Sequence, residues 1–292
     1  MNRRHMTIGL LVGWLALVAA EPQAQAPQAQ AAQAGRGQGQ SVLAVLDTLP
    51  ESPTFARIQS RTYDFKEAGR PMSYEVFVPS SYDRTRPTPL VVALHCLGSD
   101  AHHMIRYEGL TEQAEARGFL VVAPMGYNSR GWYGSRGPGG ATARGGAGDD
   151  PPNLGELSEL DVMNVLDIAR REFNVDPKRM FLMGHSMGGG GTFYLGPKHP
   201  ELWAALAVAA PAAYGSPDVL VSVKDIPMVV IQGDQDTLVD VKRTREWVAK
   251  MKELGIKHTY IEVAGGDHMH PAARTPENMK AIFDVFATAR KP

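Results

Sequence analysis

The chain has 292 residues, of which 43% are hydrophobic, 21% charged and 8% aromatic, a globular composition that excludes disordered, collagenous and coiled-coil classes. Lys plus Arg number 30 against 31 for Asp plus Glu, so a net charge of -1 provides no long-range attraction to nucleic acid or to an anionic membrane surface. The single cysteine excludes an intrachain disulfide and a Cys-only metal cluster.

The first six residues are basic, and the run from Thr7 to Ala20 is apolar and ends in Val18, Ala19 and Ala20 ahead of Glu21. That layout predicts a signal peptide over 1–20 and a secreted or periplasmic product. Its 14 apolar residues fall short of the roughly 20 that span a bilayer, so no stable membrane association is expected after cleavage. The Arg3-Arg4 pair offers only weak support for a twin-arginine signal. Residues 21–40 are Gln, Ala, Pro and Gly almost without large apolar side chains, which predicts a disordered spacer. The remaining residues, 41–292, suit a single α/β domain.

Two β-rich segments come first, Arg57 to Lys66 and Met72 to Val78, and read as an antiparallel edge pair. Six continuous apolar runs follow: Leu90 to Leu94, Phe119 to Ala123, Met180 to Met183, Ala204 to Ala209, Met228 to Ile231 and Tyr260 to Val263. Runs of this kind suit strands covered on both faces. Between them the patterns predict helices at His103 to Arg117, Glu156 to Phe173, Met187 to His199, Asp240 to Leu254 and Pro276 to Ala289. The alternation implies a three-layer, doubly wound, mostly parallel eight-stranded sheet with helices on both faces. Ligands in such sheets lie at the carboxyl ends of the strands, so the chemistry is sought in those loops.

Gly184-His185-Ser186-Met187-Gly188 fits G-x-S-x-G, follows the apolar run ending at Met183 and opens a predicted helix. That context is the strained strand-turn-helix elbow that lifts a serine hydroxyl above a sheet. Gly189, Gly190 and Gly191 continue into the helix at a combined propensity cost of about 2 to 3 kcal/mol. A rule broken there is better explained by backbone packed around a working site than by stability. Serine needs a base, and the base an orienting carboxylate. Both follow in the order Ser, Asp, His: Asp234 and Asp236 qualify after Ile231, and His268 is the expected base after Val263, with His270 second and, if it is not the base, buried under Pro271. The pair His268 and His270 alone is too little to predict a metal, and none is expected.

The oxyanion hole requires two N–H donors, one from Met187 and one from the turn after Leu94, where Leu97 is expected and Cys96 is the alternative. Cys96 reads as a small buried residue beside the site. The long segment from Tyr127 to Gly155 follows the fourth strand without a pattern of its own. Its Trp132 and Tyr133 are expected to wall the acyl or aryl pocket, and His185 joins them as a candidate substrate-binding residue.

The stretch from Asp176 to Gly189, followed by His199-Pro200-Glu201-Leu202-Trp203, resembles the α/β-hydrolase superfamily. Within it the resemblance is to secreted esterases of the polyhydroxybutyrate depolymerase, feruloyl esterase and acetylxylan esterase kinds, related to prolyl oligopeptidase catalytic domains. It runs from about Arg57 to Ala289 and implies a cofactor-free serine esterase acting through an acyl-enzyme on a small or polymeric ester. The G-x-x-D of similar proteins falls on Asp236 and leaves Asp234 to shape the loop. Their H-G-x oxyanion turn stands here as His95-Cys96-Leu97, with Cys in place of Gly. The alternatives are a serine peptidase acting on small peptides and a non-catalytic binding protein on the same scaffold. An ester panel set beside a dipeptide anilide separates the first from esterase, and fluorophosphonate labelling disposes of the second.

Overall fold

The computed structural model describes Met1 and residues 42–139 and 149–291, and the predicted signal peptide and spacer lie outside the described residues. Residues 38–292 form one compact unit. Among the described residues no helix is long and apolar enough to cross a membrane.

Eight strands form one sheet in the order β1-β2-β4-β3-β5-β6-β7-β8. They are β1 (Ile58–Phe65), β2 (Arg70–Phe77), β3 (Thr88–Leu94), β4 (Leu120–Pro124), β5 (Val175–His185), β6 (Ala205–Ala209), β7 (Met228–Gly233) and β8 (His258–Val263). Pairing is antiparallel for β1 with β2 and for β2 with β4, and parallel from β4 through β8. All eight coincide with the expected runs to within a few residues, except that β5 begins five residues earlier. The helices are α1 (Ala101–Met104), α2 (Leu110–Arg117), α3 (Leu154–Glu172), α4 (Met187–Lys198), α5 (Val241–Glu253), α6 (His270–Ala273) and α7 (Pro276–Thr288).

The period-2 geometry of the strands divides their apolar residues between two cores. Leu90, Val92, Leu182, Leu206 and Val230 face α3, α4 and α5, where Val165, Phe193 and Trp247 meet them. Val91, Ala93, Phe181, Ala207 and Val229 face the other way, against Met104, Leu110, Phe283 and Phe286 of α1, α2 and α7. Both faces are covered, and this is why the central strands read as unbroken apolar runs.

One expectation fails here. The helix predicted over His103 to Arg117 is broken between Met104 and Leu110, and Gly109 takes φ 87°. A side chain at Gly109 would stand 3.1 Å from the Pro276 Cα and from the Met279 side chain, so the break lets α7 approach closely. Periodicity could not reveal it, because the reason is a contact with a helix some 170 residues later along the chain.

Candidate active site

Sheet register gathers the loops. Leu94 is the partner of Gly184 across β3 and β5, so the turn after β3 lies beside the serine turn after β5. Further along, His185 pairs with Ala209, Ala209 with Ile231 and Gly233 with Val263. The carboxyl ends of β5 to β8 are therefore in step.

Ser186 joins β5 to α4 at φ 55° and ψ -112°, outside the regions open to an L-residue, at a cost on the order of 1–3 kcal/mol. The strain is held from both sides: the Ser186 amide donates to Ala209 O at 2.9 Å, and its carbonyl accepts from the Gly190 and Ala212 amides, each at 2.9 Å. Met187 is the first residue of α4, where an amide has no intrahelical acceptor and the helix dipole favours negative charge. The glycine run is explained by contact. A Cβ on Gly188 would meet Leu94 O at 2.1 Å, and one on Gly191 would enter the Tyr133 ring at 2.7 Å.

Asp236 and His268 come from neighbouring loops. The β8 loop folds back across the end of β7, so closely that a Cβ on Gly233 would stand 2.2 Å from Gly266 O. His268 Nδ1 donates to Asp236 Oδ2 at 2.7 Å. The other Asp236 oxygen accepts from the Leu238 amide at 2.8 Å and the Val239 amide at 2.9 Å. Gln232 Nε2 adds a fourth bond to Oδ2 at 2.9 Å, with Gln232 Oε1 held in turn by the Thr244 hydroxyl at 2.8 Å. Burial pushes the Asp236 carboxyl up, but the hydrogen bond and charge of His268 with these amides outweigh it and hold the carboxyl below its ordinary value. An ionised carboxylate can only accept, so the proton of a neutral His268 sits on Nδ1 and Nε2 is the basic nitrogen.

The alternative residues take other partners. Asp234 Oδ1 accepts from the Gly265 amide at 2.7 Å and closes the β8 loop. His270 is exposed, not buried under Pro271; it opens α6 and its Nδ1 lies 2.7 Å from Asp267 Oδ2. Among the described residues no group of three or more His, Cys, Asp or Glu is arranged to hold a metal ion.

His185 does not face a substrate. It is 1% exposed, with Nδ1 2.8 Å from the Tyr107 hydroxyl and Nε2 3.0 Å from His268 O. Burial holds its pKa down to about 3. Its ring lies at the end of β5 beside Tyr107, Pro271 and Met279. His185 and His268 ring centroids are 4.9 Å apart, which sets the loop after β8 against the residue that precedes the serine.

In the turn after β3, Leu97 is 44% exposed and Cys96 is buried. The turn is fastened by His95, whose ring spans Cys96 O and Met125 O at 2.8 Å each. Gly98 N donates to Ser129 O at 2.8 Å, joining this turn to the loop after β4.

That loop corrects a further expectation. Tyr133 is fully buried: its amide donates to Ser158 Oγ at 2.9 Å and its hydroxyl to His95 O at 3.3 Å, so it supports the turn after β3 from behind and cannot wall a pocket. Trp132 is 6% exposed and meets the half-exposed Tyr214 edge-on at 5.9 Å. Trp132, Tyr133 and Gly134 all have positive φ, a short 3-10 turn with no sequence signal beyond its two glycines. Arg130 and Asp150 close the ends of the segment through bonds of 2.7 and 2.9 Å, while residues 140–148 lie outside the described residues.

The base of the loop rests on Asp161, a buried α3 carboxylate that sequence reading passed over. It accepts from the Tyr63 hydroxyl and the Gly126 amide, each at 2.6 Å. Burial pushes its pKa up to about 6, more than these bonds pull it down. A raised folded pKa gives stability that is complete below the unfolded value near 4 and is lost as pH rises through about 6. The loss amounts to roughly 3 kcal/mol. Asp161→Asn keeps an acceptor for the Gly126 and Tyr127 amides and is expected to gain on the wild type in urea midpoint between pH 4.5 and pH 8. Parallel pH profiles would refute this.

Comparison with known proteins agrees with the geometry. The Esterase family profile matches residues 66–270. The chain belongs to that esterase family. NocK of Nocardia uniformis subsp. tsuyamanensis, named as an esterase, is 28% identical over 81% of this chain and 64% of its own length. The bifunctional acetylxylan esterase/xylanase XynS20E of Neocallimastix patriciarum is 24% identical over 65% of this chain and 25% of its own. The chain thus spans under two thirds of these relatives. A solved thermostable esterase is 25% identical with a TM-score of 0.66, covering 82% of this chain and 64% of that one. The S-formylglutathione hydrolase of Agrobacterium tumefaciens, 16% identical with a TM-score of 0.63 over 78% of this chain and 95% of its own, shares the fold. The fold of this esterase-family chain is that of the α/β-hydrolases.

Proposed function

We propose that this chain is an exported serine carboxylic-ester hydrolase, with Ser186 as nucleophile, His268 as base and Asp236 as the acid that orients it. The observation that carries the reading is the 2.7 Å bond from His268 Nδ1 to Asp236 Oδ2, in a loop whose carbonyl bonds the residue before a strained Ser186.

The Ser186 oxygen attacks the ester carbonyl carbon as His268 Nε2 takes the hydroxyl proton. The negative charge on the carbonyl oxygen is met by the amides of Met187 and Leu97. The alcohol leaves with the proton from His268, and the acyl group stays on Ser186. Water then attacks the acyl-enzyme with His268 again as base, releasing the acid and restoring the serine. No cofactor takes part in any step. Cys96 is a thiol whose pKa burial pushes up to about 11, which suits a packed residue and not a nucleophile.

The exposed Leu97 side chain, on the turn that offers the second amide, and the exposed Tyr214 ring, flanked by Trp132, Arg136 and Arg243, are the surfaces we assign to the acyl or alcohol part. Such surfaces suit a small ester or the end of a polymeric one. The basic, then apolar, first 20 residues support export to the periplasm or medium.

The test is a p-nitrophenyl acetate to decanoate series beside a dipeptide anilide, with a fluorophosphonate adduct mapped by peptide mass. Ester turnover and an adduct on Ser186 are expected. Preference for the anilide would favour a peptidase, and no adduct would favour a binding protein.

A further inference from the structure

A chain of buried polar side chains runs beneath the candidate site and is used by no step above. Cys96 Sγ lies 3.6 Å from the Tyr107 hydroxyl, that hydroxyl lies 2.8 Å from His185 Nδ1, and His185 Nε2 lies 3.0 Å from the carbonyl oxygen of His268. All four residues are 6% exposed or less. Tyr107 comes from the break between α1 and α2, Cys96 from the turn after β3, His185 from the end of β5 and His268 from the loop after β8. The chain therefore joins the two loops that the reading above assigns to oxyanion and base.

Its proton order is fixed from one end. The His268 carbonyl can only accept, so His185 carries its hydrogen on Nε2 and presents Nδ1 as an acceptor. Tyr107 has one hydroxyl hydrogen, which goes to Nδ1, and the hydrogen between Tyr107 and Cys96 is then the thiol's. A neutral His185 is what burial enforces there. Tyr107, His185, Pro271 and Met279 line a small void with room for at most about one water molecule.

We propose that Tyr107 is a positioning residue: by donating to His185 it holds the tautomer that grips the backbone of the base loop, and through Cys96 it keeps that loop in register with the oxyanion turn. The Cys in place of the usual Gly in the turn then has a role, as the end of this chain. The proposal rests on the serine-triad reading, and its test keeps the two apart.

Tyr107→Phe removes one oxygen and leaves the ring. It is expected to lower kcat on p-nitrophenyl butyrate about tenfold with KM within twofold, to shift the acid limb of the kcat/KM profile against pH, and to leave fluorophosphonate labelling of Ser186 complete though slower. Cys96→Ala is expected to give a smaller loss, and the double variant to lose no more than Tyr107→Phe alone, because cutting one chain twice adds nothing. An unchanged kcat and pH profile in Tyr107→Phe would overturn the proposal, as would losses that add in the double variant. Should Tyr107→Phe fail to fold, Cys96→Ala decides: it must lower kcat without changing the urea midpoint by an equivalent amount. Residual ester turnover in Ser186→Ala at wild-type level would instead remove the triad reading, whatever Tyr107 does.

Discussion

Ser186→Ala and His268→Ala are each expected to reduce kcat for ester hydrolysis about 10⁶-fold, and the double variant is expected to be no worse than either single one. The non-additivity follows from the chemistry. A serine hydroxyl without a base and a base without a hydroxyl leave the same thing behind, namely two amides that stabilise an oxyanion when water attacks. Asp236→Asn is expected to cost less, about 10⁴-fold, because the amide cannot accept the Nδ1 hydrogen at both rotamers and lets His268 take the wrong tautomer. Four bonds hold this carboxylate: two from backbone amides, one from Gln232 and one from His268, so the Asn variant is expected to fold. The measurement is kcat and KM on one ester for the wild type and the four variants, with folding checked by urea midpoint. Losses in Ser186→Ala and His268→Ala that multiply in the double variant would mean the two side chains act separately.

Gly188→Ala is expected to destabilise the fold by more than 4 kcal/mol, or to prevent soluble expression. The added carbon would stand 2.1 Å from Leu94 O, 2.6 Å from Leu94 C and 2.8 Å from His95 O. Overpacking against side chains costs about 1–3 kcal/mol because rotamers can yield. Here the obstacle is the backbone of β3, paired on both sides by β4 and β5, and the methyl sits on a helix whose first turn carries the serine. Neither can move without dislodging Ser186. Gly215→Ala, with nothing within 4 Å of its added carbon, is the control and is expected to change stability by less than about 0.5 kcal/mol. A Gly188→Ala protein with the wild-type urea midpoint would show that the elbow is not packed as described.

Much of the sheet, the strained turn at Ser186 and the placing of Asp236 and His268 on neighbouring loops could be read from the sequence. Strands covered on both faces must be apolar throughout, so β3 to β7 could be read as runs, and a G-x-S-x-G between such a run and a helix has few other uses. His268 and Asp236 were legible because each follows a strand end by a few residues, on loops that parallel register brings to one edge. What the tertiary structure alone decided is which side chains face the site and which stand behind it. Tyr133 and His185 were expected to line a substrate pocket, yet the first is buried behind the turn after β3 and the second bonds the carbonyl of His268. Tyr107 was hidden inside a helical pattern that Gly109 breaks to admit α7, and Asp161 on α3 carries a loop fixed by its backbone amides. Periodicity records how a residue faces its own element. The partner it meets there depends on distant chain packed against it, and local pattern carries no information about that.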